Sequence, residues 1–299
     1  MDRLHLMSVF VAVAEAESFA GGARRLGMSP PAVTRAIAAL ETRLRVKLLN
    51  RTTRFVRVTE AGQRYLDDAR RVIGDVDAAD EAAAGINAEP RGHLAVTAPM
   101  LFGRMFVTPG IVDYLQRYPG MEVSALFLDR VVNLLEEGLD VGVRIGELPD
   151  SSMKAIGAGH VRRVVCASPD YLKKHGTPKT PAELAHHVVV LSSTVTPVVD
   201  WKFAHDGKTI AVRVKPRLTV TSNEAAIEAV CAGFGVTRLM SYQVVPYVAA
   251  GRLKIVLGKF EPQRLPIHIL HREGKYASAK VRTFVDLMVA RLRADKTLN

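Results

Sequence analysis

The sequence predicts an α/β protein with an all-α head, a long connecting helix and a larger mixed remainder. Three observations carry this. Up to Leu44 the apolar residues recur at helical spacing; from Ala61 to Ile86 they step by three and four without a break; beyond Gly92 short apolar strands alternate with helical segments. A length of 299 residues suits two or three domains rather than one core. At 48% hydrophobic residues the chain is neither broadly disordered nor collagen-like. Its two cysteines, Cys166 and Cys231, lack metal or disulfide-framework spacing, which fits a reducing, cytoplasmic setting without bound metal.

The net charge of +11 is unevenly spread. Residues 1–65 hold 11 basic and 5 acidic side chains, residues 66–90 hold 2 and 7, and residues 91–299 hold 28 and 18. Such an excess suggests a polyanion or an anionic ligand as partner.

The first helix is expected from the apolar run beginning at Leu4, with Leu4, Met7, Phe10, Val11 and Ala14 on one face. The run mimics a signal-peptide core, but Asp2 cancels Arg3 and removes the positive leader. No apolar stretch approaches the ~20 residues that span a bilayer. Ser18 then caps a short helix with Phe19, Ala23 and Leu26 inward, and Gly27 ends it. Ser29 caps a third helix that opens on Pro30 and Pro31, where a missing N–H costs nothing. There Val33, Ile37, Leu40 and Leu44 face inward, leaving Thr34, Arg35, Ala38 and Glu41 outside.

Two short helices joined by a tight turn, the second with an exposed polar first turn, have the form of a helix-turn-helix reader of DNA. Arg35 suits bidentate pairing with guanine; Thr34 and the prolines suit thymine methyls or phosphate. An ordinary three-helix bundle with a solvated face has the same pattern. Arg45, Lys47, Arg51, Arg54 and Arg57 follow among apolar anchors, as in a small β wing suited to phosphate contact or as a merely solvated face. Thr59 caps the long helix, whose Ala-rich seam suits either a dimerising coiled coil or packing on its own domain.

Leu4 to Gly62 resembles the winged helix-turn-helix of LysR-type transcriptional regulators. The resemblance rests on Phe10 and Val13, Ser18-Phe19, Ala23 to Leu26, the run Ser29 to Arg35 with Ile37, Leu40 and Glu41, then Leu48 to Arg54 and Thr59 to Gly62. Leu49, where an aromatic residue is common, and Gly21-Gly22 depart from the pattern. The resemblance implies that Ser29, Pro30, Pro31, Thr34 and Arg35 address bases and phosphates, with Arg51 and Arg54 on the flanking backbone. It further implies a homodimer or homotetramer on double-stranded DNA carrying an interrupted inverted repeat.

Residues 1–59 are thus expected to be the winged helix-turn-helix, 60–88 the coiled-coil linker and 89–299 an effector-binding domain. Strands are expected at Leu94–Ala98, Val123–Leu128, Val141–Ile145 and Val161–Ala167, with helices at Phe106–Arg117 and Val131–Gly138, an alternation that argues for parallel sheets. Further strands are expected at Val188–Leu191, Trp201–Ala204, Ile210–Val214, Leu218–Thr221, Leu253–Leu257 and Ile267–Leu270, with helices from Asn223 and Ala279. Asp206-Gly207 marks a hairpin turn.

The layout resembles the family's effector domain, two lobes similar to periplasmic solute-binding proteins. Lobe one would comprise 93–164 and 267–299, and lobe two 165–266. Ligands of open α/β sheets sit beyond the carboxyl ends of strands. The corresponding positions are Thr97, Ala98, Pro99, Met100 and Arg144 in lobe one, with Thr196 and Asn223 in lobe two. A small anionic effector such as a carboxylate would bond the Thr97 hydroxyl and be neutralised by Arg144; a strand-end cap and a solvated arginine are the plain alternatives. His186-His187 lacks a third metal ligand, and there is no nucleophile elbow, P-loop or dinucleotide fingerprint. A DNA-binding regulator without cofactor or membrane partner is the expectation. A solute-binding protein, cytoplasmic or exported, is the alternative, with an enzyme more distant.

Overall fold

A computed structural model describes residues 2–51, 56–84, 89–130, 132–134, 136–148, 153–192, 200–271 and 278–298. They form two compact units, one built on Met1–His93 with Tyr276–Ala279 and the other on Leu94–Lys275 with Lys280–Asn299.

In the first unit, α1 (Arg3–Glu15), α2 (Phe19–Arg25) and α3 (Pro30–Leu44) precede a two-stranded wing, β1 (Leu49–Arg51) and β2 (Val56–Val58), and then α4 (Glu60–Ala84). Val9, Phe10, Val13, Val33, Ile37 and Leu40 make its dry centre. The buried arc of α1 is centred on Leu6, Val9, Phe10 and Val13, while Leu4, Val11 and Ala14 are half-buried. A helix apolar on nearly every side has no face of its own, so packing by α2, α3 and α4 selects one. Ser18 caps α2 by accepting from the Gly21 amide at 3.2 Å. Glycine at 22 has a packing cause: a Cβ there would lie 2.7 Å from Val13 Cγ2, so α2 can close on α1 only without a side chain.

Glu41 is not on the outside, as the helical spacing suggested, but only 7% exposed. The chain after α3 folds back over it, and its carboxylate accepts from Lys47 Nζ at 2.7 Å and from the amides of Leu48 and Leu49 at 2.9 and 3.2 Å. Thr59 caps α4, accepting from the Gly62 amide at 2.9 Å and donating to the Lys47 carbonyl at 2.8 Å. Leu66 and Ala69 are buried, and Tyr65 meets Phe10 at 5.5 Å between ring centres. Beyond them, among the described residues, Val72 at 38% and Ala79 are exposed and Val76 is half-buried.

The second unit holds two five-stranded sheets. The first has the order β4-β3-β5-β14-β6 from β3 (Gly92–Ala98), β4 (Met121–Phe127), β5 (Val141–Ile145), β6 (Lys154–Val161) and β14 (Leu265–His271). The second has the order β11-β8-β12-β7-β13 from β7 (Arg163–Ala167), β8 (Val189–Ser192), β11 (Pro216–Val220), β12 (Val236–Met240) and β13 (Lys254–Val256). A hairpin of β9 (Asp200–His205) and β10 (Lys208–Arg213) turns at Asp206-Gly207, both at positive φ. Around the first sheet lie α5 (Met100–Phe102), which runs through a π turn into α6 (Thr108–Arg117), and α10 (Ala279–Ala294); α7 (Pro169–His175), α8 (Asn223–Cys231) and α9 (Ser241–Ala249) belong with the second.

Both sheets are mixed, not parallel. β3 runs parallel to β5, and β8 to β11 and β12, but β14 is antiparallel to β5 and β6, and β7 to β12 and β13. β7 and β14 enter their sheets directly from the other lobe without a crossover helix, and parallel pairing needs such a crossover. The chain passes between sheets at Arg162 and returns at Arg264. Among the described residues of 131–138 there is turn, not helix. Val132 and Leu134 are both buried, and residues two apart cannot share a helical face.

Candidate DNA-reading face and effector cleft

Ser29, Pro30, Pro31 and Arg35 are exposed on the first turns of α3, and Thr34 is half-buried beside them. Ser29 stands at the N-cap with extended backbone, but its side chain makes no capping hydrogen bond. Pro30 and Pro31 have no N–H, and the Ala32 and Val33 amides donate to the Ser29 carbonyl at 2.9 and 3.1 Å, so the α3 N-terminus offers an outside acceptor the Ser29 hydroxyl, with the helix dipole favouring an anion. Arg24 and Arg25 add charge at the end of α2, and Arg25 pairs with Glu15, which also takes Arg70 at 2.8 Å. In the wing, Arg51 pairs through its backbone with Val56, and Arg57 projects exposed from the facing strand. Arg54 lies outside the described residues.

In the second unit Thr97 and Ala98 end β3, and Pro99 is the N-cap of α5. Thr97 is 1% exposed and its hydroxyl has no hydrogen-bond partner among the described residues. Burial of an unpaired hydroxyl costs on the order of 1–3 kcal/mol. Met100 is exposed, and its amide donates to Asp129 Oδ1 at 2.9 Å. Asp129 Oδ2 accepts from Asn223 Nδ2 at 3.2 Å, and Asn223 Oδ1 accepts from the Ser192 hydroxyl at 2.9 Å. The Asp129 carboxylate thus bridges the strand ends of the two lobes. Tyr242, also from the second lobe, packs edge-on against Phe102 and Phe106 at 5.2 and 5.8 Å. Burial pushes its phenol pKa upward.

Thr97 pairs with Gly142, two residues from Arg144 on the same strand, so Thr97 and Arg144 share a sheet face. The Arg144 guanidinium donates to the carbonyls of Val143 and Val132, both at 3.1 Å. Burial lowers its pKa and the charge of Glu137 opposes the shift. Thr196 lies outside the described residues. Asp129, Ser192 and Tyr242 were missed from sequence; the only available signal was an acid directly following a strand.

An open depression of about 430 Å³ lies elsewhere, lined by Glu147, His160, Gln263, Arg264 and Pro266 near the chain crossing. It includes none of the expected site residues. Cys166 is fully buried and its thiol pKa is pushed up to about 12 by burial, with Cys231 adding to the shift. That opposes thiolate reactivity. His187 Nδ1 meets the Tyr171 hydroxyl at 3.2 Å, an ordinary structural contact. Among the described residues no three His, Cys, Asp or Glu gather as a metal site, and no helix is long and apolar enough to cross a membrane.

A helical reader with a wing and a two-lobed α/β sensor define a class, the effector-responsive transcriptional regulators. The model described as a bacterial regulatory helix-turn-helix protein of the lysR family matches residues 4–63, and that of the LysR substrate binding domain matches residues 87–293. The chain belongs to the LysR family of transcriptional regulators. It is 31% identical to the regulator CrgA of Neisseria meningitidis serogroup B, over 96% of either chain. It is 32% identical to the activator AaeR of Escherichia coli K12, over 96% of this chain and 93% of the relative. The solved structure of CrgA superposes with a TM-score of 0.62 at 31% identity, covering 96% of this chain and 98% of that one. The full-length Vibrio cholerae virulence activator AphB, at 24% identity, has the same fold with a TM-score of 0.60, over 97% and 99% of the two chains. The chain is therefore a DNA-binding transcriptional regulator with an effector-binding domain, not an enzyme, and the solute-binding alternative falls with the match over residues 4–63.

Proposed function

We propose that this regulator responds to a small anionic effector, a carboxylate for preference, held between the lobes at the strand ends. The observation that carries the reading is Asp129: the chain's own carboxylate sits on the Met100 amide and the Asn223 amide group, donors that an incoming carboxylate would also use. The orphan hydroxyl of Thr97 is a further donor close in sequence. Ala98, Pro99 and Thr196 complete the expected wall, and Arg144 supplies positive potential from the same sheet face as Thr97. Displacing Asp129 would release the bridge to Asn223 and shift the balance between lobe arrangements.

On the DNA side, Ser29, Pro30, Pro31, Thr34 and Arg35 would read the major groove, and Arg51 and Arg54 would grip the flanking phosphates. Residues 60–88 would carry dimerisation between the reader, 1–59, and the sensor, 89–299; the uncovered Val72 supports this. A homodimer or homotetramer would then meet an interrupted inverted repeat in the cytoplasm, where the chromosome lies.

The test is a thermal-shift panel of small carboxylates on the full chain. A ligand at 100 times its Kd stabilises the folded state by about 2.7 kcal/mol. The expected result is a saturable rise in Tm, lost in Asn223→Ala. No response to any carboxylate would refute the anionic reading and leave the DNA reading intact. The latter predicts a salt-dependent preference for the chain's own upstream DNA over random duplex.

A further inference from the structure

The second sheet has a face away from α8, covered by the β9–β10 hairpin. Val165, Ala167 and Val236 of that face pack with Trp201 and Phe203. β7 and β12 pair antiparallel with Arg163 opposite Met240 and Val165 opposite Arg238, so Arg163 and Arg238 are diagonal neighbours on this same face. Both are half-buried. The Arg238 guanidinium stands 5.0 Å from the Trp201 ring and 5.8 Å from Phe203, and donates one N–H to the Lys202 carbonyl at 3.0 Å. Arg163 has no ionic or hydrogen-bonding partner among the described residues.

The neighbouring acids are already committed. Glu261 is held by Arg162 at 3.0 Å and Asp200 by Arg213 at 3.2 Å. The sequence 193–199 that leads into the hairpin contains no acidic residue, and residues 165–266 as a whole carry 13 basic against 7 acidic side chains. Burial lowers the pKa of both arginines, and that of Arg238 falls to about 9 with the charge of Arg163 adding to the shift. Two like charges withdrawn from water on one face, with no carboxylate paired to either among the described residues, are a standing cost that a bound anion would remove.

We propose that Arg163 and Arg238 form an oxyanion site on lobe two, separate from the interlobe cleft, for the carboxylate or phosphate group of a small metabolite. Each guanidinium is a planar fork matched to either group. The Trp201 ring fixes one fork in orientation, and the other, Arg163, has no partner among the described residues to hold it off the ligand. The site does not depend on the cleft reading, since it lies on the sheet face away from α8 and Asn223.

Trp201 is the only tryptophan of the chain, so its emission reports this site. The full chain is titrated with sodium phosphate and, separately, with sodium acetate, at ionic strength held constant with sodium chloride. A saturable change in Trp201 emission is expected with at least one anion; which one responds assigns the group. Arg163→Gln should raise the midpoint about tenfold or more, whereas Lys208→Gln, at the hairpin turn, should leave it unchanged. If Arg163→Gln loses its far-UV signature, Arg163→Lys, which keeps the charge without the fork, carries the test with a smaller expected shift. No saturable change with either anion overturns the proposal, as does a wild-type midpoint in the folded Arg163 variant.

Discussion

Glu41 in the reading head and Arg163 in the sensing domain are both charged groups largely withdrawn from water, and their surroundings differ. One Glu41 oxygen receives the Leu48 and Leu49 amides and the other receives Lys47. Arg163 has no ionic or hydrogen-bonding partner among the described residues, and its diagonal neighbour on the sheet face is another cation, Arg238. Thr97 repeats the contrast with a neutral group, buried and without a partner. The head bonds its buried carboxylate fully, although its Tyr65 hydroxyl is buried without a hydrogen-bond partner among the described residues, and the Ser29 hydroxyl stands exposed at the start of α3. In the sensing domain Thr97 and Arg163 stand without partners among the described residues, and these are the positions at which the proposed ligands would bind.

The sharpest way to break this contrast is Glu41→Ala. It strands two amides in a core that includes Leu48 and Leu49, and should cost about 3 kcal/mol in urea unfolding. Burial alone would raise the Glu41 pKa, but the bonds from Lys47, Leu49 and Leu48 outweigh it and hold the pKa below the ordinary value. The stabilisation is thus present above the unfolded pKa and lost as pH falls through the lowered folded one. Wild-type and Glu41→Ala unfolding curves should converge on acidification; parallel curves would mean that the carboxylate is not the source.

Next in size is Gly62→Ala. A Cβ there would lie 2.1 Å from the Leu48 carbonyl oxygen, forcing α4 away from the wing at a cost of about 1–3 kcal/mol. In the sensing domain a Cβ at Gly157 would meet nothing within 4 Å, so Gly157→Ala should stay within about 0.5 kcal/mol. Equal losses at the two sites would contradict the difference in packing.

The head was legible because its signals are local. Ser18, Gly27 and Thr59 each punctuate a helix within four residues of their own position. Glu41 was misread because spacing along α3 says nothing of the later chain that folds over it. The same limit hides the proposed effector site: Asp129 and Asn223 are 94 residues apart and meet only through the arrangement of two sheets. Strand positions were largely readable from apolar runs, but their direction was not. The entry of β7 and β14 from the other lobe leaves no mark in a hydrophobic pattern.

Thr97→Val tests the open side of the comparison with the opposite sign. The substitution keeps the shape and removes an unpaired buried hydroxyl, so the ligand-free protein should gain about 1 kcal/mol. The same variant should show a weaker Tm rise with carboxylates. A stability loss would mean that the hydroxyl already has a partner and is no donor in waiting.

The smallest expected effect on stability belongs to the residue with the largest expected role in reading. Arg35 is exposed, and Arg35→Ala should change unfolding by no more than about 0.5 kcal/mol. On the chain's own upstream DNA it should cost about 1–3 kcal/mol, concentrated at one base pair of each half-site, because a bidentate arginine reads a single guanine. Substituting Arg57, exposed on the wing, should instead weaken binding to all duplexes alike and reduce the salt slope by about one. Fluorescence anisotropy on specific and random duplexes at several salt concentrations separates the two. If Arg35→Ala lowers both affinities equally, the exposed turn of α3 contributes only charge, and sequence reading must lie elsewhere on the head.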